Sequence, residues 1–109
     1  MNVRKKEFYQ AEETIKTKRE FSLQELQEKL VRLGYTGLAR SGRATKSIRF
    51  GDIGDMKSYL ITITGHYTDG KISFVGISAT CESHEPTLPT DPQDVLKKAK
   101  KDLEESGIL

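Results

Sequence analysis

The chain has 109 residues, of which 35% are hydrophobic and 31% charged, with a formal net charge of +2. That length fits a single domain, and no apolar run approaches the ~20 residues that a membrane-spanning helix needs. Cys81 is the only cysteine, which excludes a disulfide-stapled scaffold and fits a reducing, cytoplasmic setting.

Charge is unevenly placed. Residues 1–51 carry twelve Lys/Arg against six Asp/Glu, and residues 52–109 carry six against ten. Between Leu30 and Gly51 there is no acid, while Arg32, Arg40, Arg43, Lys46 and Arg49 are all basic. A segment of this kind attracts phosphate or an acidic protein surface.

The first residues are basic with no apolar stretch behind them, so no secretory leader is expected. Phe8, Ala11 and Ile15 then recur at helical spacing, which predicts an N-terminal charged helix or arm over residues 1–20. Residues 21–109 are expected to form one α+β domain. Its first helix opens at Ser22. The pattern Ser22-Leu23-Gln24-Glu25 is a capping box, and Phe21 with Leu26 stands at the positions of a hydrophobic staple. Leu23, Leu26, Leu30 and Leu33 keep helical spacing, and Gly34 supplies the stop.

Residues 46–50 predict a short strand, with Ile48 and Phe50 inward and Ser47 and Arg49 outward. Residues 59–67 and 72–81 are rich in β-branched and aromatic residues and flank Asp69-Gly70, the signature of a two-residue type I′ hairpin. Regular pairing from that turn sets Tyr67 against Ile72, Gly65 against Phe74 and Ile63 against Gly76. One face would then carry Tyr59, Ile61, Ile63, Tyr67, Ile72 and Phe74 toward the core. The other would carry Leu60, Thr62, Thr64, His66, Ser73, Val75 and Ile77. The 72–81 strand is expected to be an edge, open to a second copy or a partner strand. A last helix is capped by Asp91, begins at Pro92, buries Val95, Leu96, Ala99 and Leu103, and stops at Gly107.

The expected fold is therefore α+β: a three-stranded antiparallel sheet with two helices on one face, in the order α-β-β-β-α, preceded by an N-terminal helix. This order over residues 22–108 is similar to that of double-stranded-RNA-binding domains and of HicA-type RNase toxins. The lysine cluster that those RNA-binding domains place at the start of the last helix comes more than a turn later here. The histidine that the toxins carry near the first strand has no counterpart in residues 41–50.

No pattern carries catalysis. The stretch from Gly37 to Gly42 begins like a phosphate-binding loop, but Lys46-Ser47 follows too late for that geometry. Cys81, Glu82, His84 and Glu85 fall short of a zinc set, and His66 has no evident nucleophile or carboxylate beside it. No cofactor or metal is expected.

The expected function is a small non-enzymatic binding module that contacts nucleic acid or a nucleoprotein through Arg40, Arg43, Lys46 and Arg49. Lys97, Lys98, Lys100 and Lys101 form a secondary basic patch. The alternative is a small inhibitor or adaptor of the mobile-element type. It would bind a partner protein through Leu60, Thr62, Thr64, Val75 and Ile77, a semi-apolar surface on the uncovered sheet face. An RNase-like toxin ranks third.

Overall fold

A computed structural model describes residues 10–37, 42–50, 57–81 and 92–109. In chain order the elements are β1 (Gln10–Phe21), α1 (Leu23–Arg32), β2 (Thr36–Gly37), β3 (Arg43–Phe50), β4 (Lys57–Thr68), β5 (Lys71–Cys81) and α2 (Pro92–Glu105). The strands form one antiparallel sheet in the order β1-β5-β4-β3-β2. Buried residues of α1 and α2 share one apolar core with one face of that sheet.

The helices follow their local signals. Ser22 Oγ accepts the Glu25 amide at 3.2 Å and Glu25 Oε1 accepts the Ser22 amide at 3.3 Å, completing the capping box. Arg19 donates to the Glu25 carboxylate at 2.8 Å. That bond, with the Ser22 amide, holds the Glu25 carboxyl below the usual carboxylate range. Phe21 and Leu26 of the staple are fully buried. At the other end Gly34 takes φ +94°. Its amide donates to Val31 O, and the Tyr35 amide donates to Leu30 O. This is the paired Schellman bonding that satisfies a helix's last carbonyls. The C-terminus of α2 closes in the same way, from Gly107 to Glu104 O and from Ile108 to Leu103 O. Val95, Leu96, Ala99 and Leu103 are all buried. Asp91 lies outside the described residues.

Three expectations are corrected. First, residues 10–21 form a strand where a helix was expected, and Phe8 lies outside the described residues. A spacing of Ala11 and Ile15 puts both on one face of either a helix or a strand, because four residues are about one helical turn and two full strand repeats. The deciding term is tertiary. An unpaired β5 would leave a row of amides and carbonyls without partners, and β1 satisfies them from Gln10↔Thr80 to Lys16↔Phe74. β1 then bulges: Phe21 is the next residue in register, opposite Ile72. Within the bulge the Lys18 amide donates to Ile108 O at 2.8 Å and Thr17 Oγ1 donates to Arg19 O.

Second, the sheet has five strands among the described residues, because β1 is added on one side and the short β2 on the other. A leading strand also breaks the α-β-β-β-α order on which the resemblance to double-stranded-RNA-binding domains and RNase toxins rested. The expected open edge at residues 72–81, and the dimer contact placed there, are gone, since β1 of the same chain occupies it.

Third, the hairpin faces are different. The turn itself is as expected, with φ +53° at Asp69 and +78° at Gly70, and Tyr67 does pair with Ile72. The next pair is His66↔Phe74, so Ser73 is an extra residue on β5. One inserted residue reverses which side chains face the core from there on. Gly65 therefore meets Val75 and Ile63 meets Ile77. Val75 and Ile77, expected on the outer face, are 0% and 1% exposed, whereas Phe74, expected in the core, is 45% exposed. Tyr67, also expected in the core, is 47% exposed.

Candidate functional site: the uncovered sheet face

Both helices cover the same face, so alternate residues of the strands form the opposite one. Register places them in rows. Lys16, Phe74 and His66 lie abreast on β1, β5 and β4. Thr14, Gly76, Thr64 and Arg43 form the next row, across to β3. Glu12, Ser78, Thr62 and Thr45 follow, and then Gln10, Thr80, Leu60 and Ser47. Arg49 stands opposite Ser58 further along β3.

This face holds an open trough of about 570 Å³, lined among others by Glu12, Thr14, Arg43, Thr62, Thr64, His66, Gly76 and Ser78. Gly76 forms part of its floor. A Cβ there would come within 3.3 Å of His66 Nε2, so the imidazole lies close over the glycine. The walls differ in charge, with Arg43 on the β3 side and Glu12 on the β1 side. Glu13 is held at 2.9 Å by Lys100 of α2.

The sequence-predicted residues separate. Arg43 and Arg49 are exposed on the uncovered face. Lys46, expected beside them, sits opposite Ile61 on the core side. Its Nζ donates to Leu33 O at 2.6 Å and lies 5.5 Å from the centre of the Tyr35 ring. The cation thus caps the C-terminal end of α1, where a positive charge is favoured. Tyr35 is buried, and burial, reinforced by Asp102, pushes its phenol above the ordinary tyrosine value. Arg40 lies outside the described residues.

Lys97, Lys98 and Lys101 are exposed on α2, and Lys100 is occupied by Glu13. They belong to the helix layer and do not join Arg43 and Arg49. Of the expected protein interface, Leu60, Thr62 and Thr64 remain half-buried on the uncovered face, while Val75 and Ile77 belong to the core.

Sequence reasoning missed Phe74, Gly76, Ser78 and all of the β1 contribution. Phe74 and Gly76 were misplaced by the bulge at Ser73. Glu12, Thr14 and Lys16 carried a usable signal, because they alternate with Ala11 and Ile15 as strand residues do.

Cys81 is buried, and Glu82, His84 and Glu85 lie outside the described residues. Among the described residues no group of three or more His, Cys, Asp or Glu side chains could hold a metal ion, and no helix is long and apolar enough to cross a membrane. No family model matches the chain, and no curated protein or solved structure is significantly similar to it.

Proposed function

We propose that the chain is a non-enzymatic binding module that takes single-stranded nucleic acid across the uncovered sheet face. The observation that supports this reading most is the company of Phe74. An exposed aromatic ring stands beside His66 and Lys16, with Arg43 and Arg49 along β3 on the same face. Single strands are held by such a combination, because bases stack on rings while cations track the phosphates. A flat sheet face suits an unpaired strand better than a duplex, whose bases are stacked inside.

Fluorescence anisotropy with labelled single-stranded RNA and DNA, titrated at several salt concentrations, tests the reading. Affinity should fall log-linearly with salt. The double variant Arg43→Ala/Arg49→Ala should lose at least about tenfold, equal to ~1.4 kcal/mol, and flatten the salt slope by about 1.4 on the single-strand scale. Phe74→Ala should lose a further ~1–3 kcal/mol with the slope unchanged. Failure of the wild-type chain to bind any single strand at low salt rejects the reading. It would favour a partner protein on the half-buried surface of Leu60, Thr62 and Thr64, the inhibitor or adaptor role.

A further inference from the structure

β1 ends the sheet. Its other side has no strand partner among the described residues, so the backbone groups that do not face β5 are directed outward along that side. Glu12, Glu13, Thr14 and Lys16 are all exposed there. Charged side chains on an edge strand ordinarily discourage pairing with another chain. Their deterrent effect depends on what a second strand would place opposite them.

For two identical strands the choice of register is small. Side chains directly opposite each other in an antiparallel pair lie on the same face of the sheet. A two-fold axis through the sheet must therefore relate a residue to its own copy, because neighbouring residues point to opposite faces. Centring the pair on Glu12 or Glu13 sets a carboxylate against itself. Centring it on Ile15 recruits Lys18, which lies in the bulge with its amide already donated to Ile108 O. Centring it on Thr14 sets threonine against threonine. Glu12 then stands opposite Lys16 of the second copy, and Lys16 opposite Glu12 of the second copy. The two pairs are equivalent by symmetry and both lie on the uncovered face. Glu13, on the helix side, is neutralised within its own chain by Lys100.

We propose that two copies of this chain join edge to edge through β1, antiparallel and centred on Thr14, to make one continuous sheet of ten strands. The contact combines main-chain hydrogen bonds along β1 with two interchain Glu12–Lys16 pairs. It sets the two troughs side by side and leaves β3, with its short neighbour β2, at each outer margin. It shares Lys16 with the nucleic-acid reading but none of Arg43, Arg49 or Phe74, and dimerisation is measured with no nucleic acid present, so the two readings fail separately.

Sedimentation velocity on the full chain across a concentration series tests it. The wild-type chain should dimerise. Lys16→Glu places carboxylates opposite each other at both symmetric positions and should weaken dimerisation at least about tenfold. Glu12→Lys should do the same with like positive charges. The double variant Glu12→Lys/Lys16→Glu should dimerise again.

Within one chain Glu12 and Lys16 are a strand repeat of four apart, ~13 Å, and their cross-strand neighbours on β5 are the uncharged Ser78 and Phe74. Restoration by the double variant therefore reports the contact between copies. Matched circular-dichroism melts for all four chains keep misfolding out of the comparison. A wild-type chain that remains monomeric at every concentration overturns the proposal, leaving the edge to a different partner. Single variants that dimerise as the wild type does, or a double variant that stays monomeric while folded, also overturn it.

Discussion

Gly70 and Gly65 show how differently two glycines of one hairpin are constrained. At Gly70 nothing lies within 4 Å of where a Cβ would stand, so only the backbone value of φ +78° restricts the residue. At Gly65 a Cβ would approach Ile72 Cδ1 to 2.9 Å and Leu26 Cδ2 to 3.4 Å, so the restriction is the space left under α1. The turn can therefore be tested without disturbing packing. Gly70→Val forces a β-branched residue into the left-handed region and should cost at least about 1–2 kcal/mol. Gly70→Asn should be nearly tolerated, because asparagine visits that region readily. Urea denaturation of the two variants measures the difference, and equal stabilities would show that the turn does not require positive φ.

At the scale of elements, a single inserted residue decides which half of β5 is core. Tyr59, Ile61 and Ile63 alternate inward along β4 without interruption. On β5 the inward set passes from Ile72 to Val75 across Ser73, and continues through Ile77, Ala79 and Cys81. Because Ser73 is the extra residue, deleting it while keeping the turn would leave Phe74 opposite His66 in a regular ladder, with Val75 and Ile77 still inward. One residue added between Phe74 and Val75 would instead turn Val75, Ile77, Ala79 and Cys81 outward. Burial of one Val or Ile side chain is worth about 1.5–3 kcal/mol, and a small domain has about 5–15 kcal/mol in all. The insertion should therefore abolish cooperative unfolding, whereas the Ser73 deletion, which keeps the inward set, should fold. Near-ultraviolet circular dichroism and urea titration distinguish them. The helices offer no comparable ambiguity, because the capping box at Ser22 and the glycine stops at Gly34 and Gly107 act on adjacent residues.

For the molecule as a whole, β1 joins the sheet, the helix layer and the C-terminus. It pairs with β5 along residues 10–16, meets α2 through Glu13 and Lys100, and receives Ile108 O on the Lys18 amide. A chain beginning at Thr17 would lose Ala11 and Ile15 from the packing and expose the full edge of β5. Such an edge is a template for pairing with other chains. That truncation should yield aggregates, or a chain lacking a cooperative unfolding transition, by size-exclusion chromatography and denaturation. A folded, monodisperse product would show that β1 is dispensable.

The amino-acid sequence by itself determined what depends on neighbours in the chain: both helices, the capping box at Ser22, the glycine stops at Gly34 and Gly107, the Asp69-Gly70 turn, the presence of β3, β4 and β5, and the outward direction of Arg49. Tertiary structure alone decided three things. Residues 10–20 could satisfy a helical or a strand spacing until β5 offered hydrogen-bond partners to a strand. Lys46 reads as one more cation of a basic segment, and only the folded chain brings the Leu33 carbonyl within its reach. The bulge at Ser73 leaves no composition signal, since serine suits either face of a strand. It is set by the need to bury Ile72 beside the turn and Val75 and Ile77 beyond it, and the two sets lie out of phase in a period-2 pattern.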